Sequence, residues 1–82
     1  MADIKVIIPA IDEGDSIAQV IAEIPNSASE VIVVDNGSKD DTAKKAKRSG
    51  ATVLSEGRKG YGFACLKGME YVDQQSKKPD II

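Results

Sequence analysis

The stretch EVIVVDNGSKDDTAKKA, from Glu30 to Ala46, decides how the rest of the chain is read. Val31–Val34 is a run of β-branched apolar residues, the composition of a strand buried on both faces, as in parallel sheets. Asp35-Asn36-Gly37 stops that strand abruptly with turn-forming residues. Ser38 and Asp41 stand at capping-box spacing, with Asp in place of the usual Glu. A basic helix is expected from there to Ser49, with Gly50 as its stop. The segment reads as one strand–turn–helix unit.

Working outward, the same unit recurs on either side. Ile4–Ile8 is an apolar run closed by Pro9, which suits a buried strand. An acidic turn follows, and then Ile17, Val20, Ile21 and Ile24 fall on one helical stripe, with Asp15 placed to cap it and Pro25-Asn26 to end it. Thr52–Ser55 predicts a short third strand, and Gly57, Gly60 and Gly62 punctuate a basic loop after it. From about Phe63 a third helix is expected, with Cys65, Met69 and Val72 on one side, broken by Pro79. Asp80-Ile81-Ile82 reads as the opening of a fourth strand. The order β-α-β-α-β-α-(β) predicts an α/β fold with a parallel sheet covered on both faces.

Composition narrows the function classes. The chain has 82 residues, enough for one small domain, and we read residues 1–82 as a single unit with no internal boundary. A net charge of −2 excludes a strongly basic nucleic-acid binder. With no histidine and one cysteine there is neither a disulfide framework nor a zinc-ligand set. No segment reads as a signal peptide or membrane span, so a cytoplasmic location is expected.

Ligands of parallel α/β sheets gather at the carboxyl ends of the strands. Here those ends carry the loops Pro9–Asp15, Asp35–Asp41 and Glu56–Gly62. Asp35 sits where a dinucleotide-binding fold places its ribose carboxylate, yet the turn after the first strand is PAIDEG, with one glycine, and cannot cradle a pyrophosphate as Gly-x-Gly-x-x-Gly does. A phosphate-binding loop of the NTPase kind is absent too. Each feature also has a plainer reading. Glu13 compensates a helix N-terminus, Asp35 forms a turn, and Arg58 and Lys59 are solvated cations.

In combination, VIIPAIDEGDSI, EVIVVDNGSKDDTAKKA and GRKGYGFACLKGME resemble the N-terminal part of family 2 glycosyltransferases, in particular the dolichyl-phosphate mannose synthase-like enzymes. The resemblance implies a glycosyltransferase A-type fold: a Rossmann-like, three-layer α/β/α arrangement with strand order 3-2-1-4, here stopping at the start of the fourth strand. It implies transfer of a sugar from a UDP- or GDP-linked donor to an acceptor that the residues do not identify, assisted by Mg²⁺ or Mn²⁺. Carried over, Pro9 and Ala10 would line the nucleotide pocket, Glu13 would lie near the ribose and base, and Asp35 would accept from the base. Arg58 or Lys59 would meet the base or diphosphate. Asp12 stands where the family usually has Asn.

The family's metal-binding Asp-x-Asp follows the fourth strand, so the resemblance assigns no metal ligand and no catalytic residue within these 82 residues. It also leaves membrane association open for a full-length enzyme. The isolated chain is expected to be inactive, and an unpaired edge of the first strand would favour self-association. The alternative is a non-catalytic α/β module or gene remnant.

Overall fold

The computed structural model describes residues 4–75. Three strands, β1 (Lys5–Ala10), β2 (Glu30–Asp35) and β3 (Thr52–Ser55), alternate with α1 (Ile17–Ala22), α2 (Thr42–Arg48) and α3 (Tyr61–Gln75). The sheet is parallel throughout, in the order β1-β2-β3, with Ala10 level with Asp35 and Asp35 level with Ser55. This is the 3-2-1 part of the expected order. The expected break at Pro79 and the fourth strand at Asp80-Ile81-Ile82 lie outside the described residues.

β2 explains the layering. Val31 and Val33 face a cluster with Ile17, Ile21 and Ala46, whereas Ile32 and Val34 face one with Ala64, Tyr71 and Val72. Alternation along a strand sends neighbours to opposite faces, so α1 and α2 cover one side of the sheet and α3 the other. Ile32, Val33 and Val34 are fully buried. At the amino end of the sheet, the Glu30 carboxylate accepts from Lys5 Nζ (3.1 Å), Thr52 Oγ1 (2.7 Å) and Tyr71 Oη (2.9 Å), joining all three strands to α3. Those donors hold the Glu30 carboxyl below its usual range, the Thr52 hydroxyl contributing most.

Several local expectations are corrected. Pro9 does not close β1, which continues to Ala10. Asn36 N donates to Ala10 O across the ladder, so Ala10 faces β2 and Pro9, one residue earlier, points its missing donor at the outer edge. Asp15 does not cap α1. The cap residue is Ser16, and the Glu13 carbonyl accepts from both Ser16 N and Ile17 N. The helix stops at Ala22, before Pro25 can restrict Ile24. The Ser38–Asp41 box does not form either, because Asp41 caps through its backbone and Ser38 is engaged across the loops.

α3 begins two residues before the expected Phe63. Its buried side is Ala64 and Gly68, one turn apart, while Met69 is 60% exposed. The helix approaches the sheet too closely for a larger residue: a methyl at Gly68 would lie 2.5 Å from Ile7 Cγ2. None of the described helices is long and apolar enough to cross a membrane.

Candidate functional site

The three loops at the carboxyl ends of the strands are stitched to one another by hydrogen bonds. Between the first and second loops, Asp12 N donates to Ser38 Oγ (2.8 Å), Glu13 N to Thr42 Oγ1 (2.8 Å) and Gly14 N to Asp40 Oδ2 (2.9 Å). Lys39 N returns a bond to Asp12 Oδ1 (2.7 Å). Asp40 also accepts from Thr42 through both its amide and its hydroxyl, and these donors lower the Asp40 pKa. Gly14 has no room for a side chain, since a methyl there would lie 2.7 Å from carboxylate oxygens of both Asp40 and Asp41. Asp12 takes a left-handed conformation (φ 51°), tolerated by Asp and Asn better than by most residues.

The second and third loops are joined by Asn36. Its amide nitrogen donates to Glu56 O (2.9 Å) and Arg58 O (2.8 Å), and its amide oxygen accepts from Gly60 N (3.2 Å). Glu56, 6% exposed, accepts from Arg58 Nε (3.0 Å), Nη2 (2.9 Å) and backbone N (2.8 Å). The paired guanidinium pulls the Glu56 carboxyl down to about 2. Arg58 in turn lies 4.6 Å from the centroid of the Phe63 ring, a cation–π contact.

Between these loops opens a cleft of about 210 Å³ lined by Pro9, Ala10, Ile11, Glu13, Asn36 and Tyr61. Three residues singled out in the sequence, Pro9, Ala10 and Glu13, therefore share one pocket wall. Asp35, level with Ala10 on the adjacent strand, is half-buried and accepts from Ser38 N through Oδ1 (3.3 Å). Its Oδ2 makes no hydrogen bond among the described residues. Arg58 and Lys59 differ sharply. Arg58 is committed to Glu56 and Phe63, while Lys59 is exposed and in no ion pair among the described residues. Tyr61 is 73% exposed at the cleft.

Sequence reasoning passed over Asn36, read as part of a polar stop, and Glu56, read only as a loop boundary. An amide directly after a strand-end carboxylate is the legible signal for Asn36, because such a group both donates and accepts. For Glu56 the signal is its spacing from Arg58, which allows a local ion pair. Metal binding finds no donor set here. Among the described residues no three Asp, Glu, Cys or His side chains are grouped to hold an ion. Asp12, Asp35, Asp40 and Glu56 each already accept from loop donors.

Comparison with known proteins supplies the relatives. The model of glycosyl transferase family 2 matches residues 5–76. An uncharacterised glycosyltransferase of Mycobacterium tuberculosis is 44% identical over 66 residues, covering 80% of this chain and 30% of that protein. Glucosyl-3-phosphoglycerate synthase of Mycolicibacterium paratuberculosis is 45% identical over 56 residues, covering 63% of this chain and 17% of that protein. The crystal structure of glucosyl-3-phosphoglycerate synthase from Mycobacterium tuberculosis with Mn²⁺, UDP-glucose and glycerol 3-phosphate superposes with a TM-score of 0.77 at 34% identity. That match covers 84% of this chain and 29% of the other. The chain thus spans less than a third of the length of these relatives.

Proposed function

The chain belongs to glycosyl transferase family 2, and on that premise we propose that it forms the donor-nucleotide-binding part of an enzyme that transfers a sugar from a UDP-linked donor. The observation that carries the reading is the cleft at the carboxyl ends of β1 and β2, with Asp35 ending β2 directly before the cleft residue Asn36. Lys59 lies two residues before the cleft residue Tyr61 and lines an adjoining pocket with Gly60, Gly62, Phe63 and Leu66. A solved relative is described with UDP-glucose, which favours uracil over guanine as the base.

The roles follow from chemistry. The uncommitted oxygen of Asp35 accepts from the ring N–H of the base. Backbone at Pro9 and Ala10 closes one side of the nucleotide, and Glu13 lies near the ribose. Lys59, not Arg58, offsets the diphosphate charge, because the Arg58 guanidinium is already neutralised by Glu56. Among the described residues no group of three carboxylates or thiols stands together to hold a divalent metal.

Calorimetric titration with UDP and UDP-glucose, with and without Mn²⁺, tests the reading. Saturable binding to the wild type, weakened at least about tenfold in Asp35→Ala, is the expected result, since a hydrogen bond to a charged group contributes roughly 1.5–3 kcal/mol. A folded protein that binds neither ligand would instead favour the non-catalytic α/β module.

A further inference from the structure

We propose that Asn36 is a positioning residue that fixes where Lys59 stands relative to the nucleotide cleft; the inference rests on the donor-binding reading above. The geometry is specific. Asn36 donates to the carbonyl of Arg58, the residue before Lys59, and accepts from the amide of Gly60, the residue after it. A third bond, to the Glu56 carbonyl, secures the start of the same loop. One amide group therefore grips the backbone on both sides of Lys59 without touching its side chain.

Asn36 is itself firmly seated. Its backbone N donates to Ala10 O at the end of β1, and its own residue lines the cleft with Pro9, Ala10 and Glu13. The loop has another tie to the sheet: Glu56 N donates to Asp35 O at the end of β2, and the Arg58–Glu56 pair, two residues apart, stiffens the turn built on it. The bond from Gly60 N to Asn36 Oδ1 is what ties the backbone beyond Lys59 to that end of the sheet. Gly60, the residue preceding α3, has φ 124°, and its carbonyl accepts the helix's first-turn bond from Ala64 N. Through Gly60, Asn36 also sets where α3 begins.

Both polar ends of the amide are needed. Asn36→Asp keeps an acceptor for Gly60 N but loses the donors to Glu56 O and Arg58 O, and adds a negative charge facing two carbonyls. Asn36→Ala removes all three bonds. Either change keeps the backbone bond from Asn36 N to Ala10 O, while altering the part of the cleft wall that the Asn36 side chain forms.

The test compares UDP with uridine, whose difference is the diphosphate. In wild type, UDP is expected to bind more tightly than uridine. Lys59→Ala should lower UDP affinity roughly tenfold and leave uridine unchanged. Asn36→Ala, which also changes the cleft wall, should cost UDP more affinity than uridine, and in the Lys59→Ala background it should cost the two ligands equally, since the extra loss acts through the same contact. Equal losses for UDP and uridine in the single Asn36→Ala variant, or an extra loss for UDP that persists in the Lys59→Ala background, would overturn the positioning role.

Amide hydrogen exchange on the ligand-free protein gives a reading independent of any ligand. Asn36→Ala should speed exchange at Gly60 while the amides of β2 stay protected, and unchanged exchange at Gly60 would sink the proposal. If wild type binds no UDP, the donor-site reading falls, and the positioning of Lys59 for a diphosphate falls with it. Exchange at Gly60 then still reports whether Asn36 holds the loop.

Discussion

At the scale of single residues, the site depends on side chains whose main partners are backbone amides. Asp12 is the clearest instance. Its left-handed backbone and its acceptor bond from Lys39 N both suit a short side chain with a terminal oxygen. Asn offers the same oxygen and the same tolerance. Asp12→Asn is therefore expected to leave the urea midpoint nearly unchanged, while Asp12→Ala loses about 1–2 kcal/mol through the lost bond and the strained φ. Equal midpoints for the two variants would contradict this account. The sequence marked Asp35, Pro9, Ala10 and Glu13 through strand ends and family likeness. It could not separate Arg58 from Lys59, because two adjacent cations look alike until a buried carboxylate is seen to claim one of them. For Asn36 only the residue type was legible, not its role: its partners are main-chain atoms of residues 20 to 24 positions away, which leave no pattern in composition or periodicity.

At the scale of elements, strands were more legible than helices. Val31–Val34 announces β2 because burial on both faces demands an unbroken apolar run. Helix ends misled, because Ser38 is engaged by a loop 26 residues away and Asp41 caps α2 only through its backbone. The buried side of α3 misled as well. Met69 and Leu66 look like core residues, yet close approach to β1 gives the contact to Ala64 and Gly68. Two glycines of α3 should consequently behave in opposite ways. Gly62 has open space where a Cβ would stand, so Gly62→Ala is expected to stabilise by about 0.5–1 kcal/mol. Gly68→Ala meets the branched Ile7 side chain, and overpacking of about 1–3 kcal/mol outweighs the gain in helix propensity. Urea denaturation of the two variants should shift the midpoint in opposite directions.

At the scale of the whole molecule, three carboxylates with lowered pKa values hold the two ends of the sheet: Glu30 and Asp40 bond to residues distant in sequence, and Glu56 stiffens its own loop at the carboxyl end. For Glu56 the folded value of about 2 lies below the ordinary 4.5. Its stabilisation is thus complete above the ordinary value and is lost as pH falls through the folded one. Glu30 and Asp40 act in the same direction. Thermal melts should show stability declining from about pH 4.5 towards 2, the interval that the Glu56 values bracket. Glu56→Gln should melt lower at neutral pH and show a shallower decline across that interval. A decline as steep as in wild type would exclude Glu56 as a contributor. The stitched loops carry one more consequence, for the order of assembly. The bonds from Asp12, Glu13 and Gly14 reach partners 26, 29 and 26 residues away, so none can form until β1 and β2 lie side by side. The cleft is thus a late product of folding, and during refolding the sheet should exist for a time as a scaffold without the cleft at its carboxyl end.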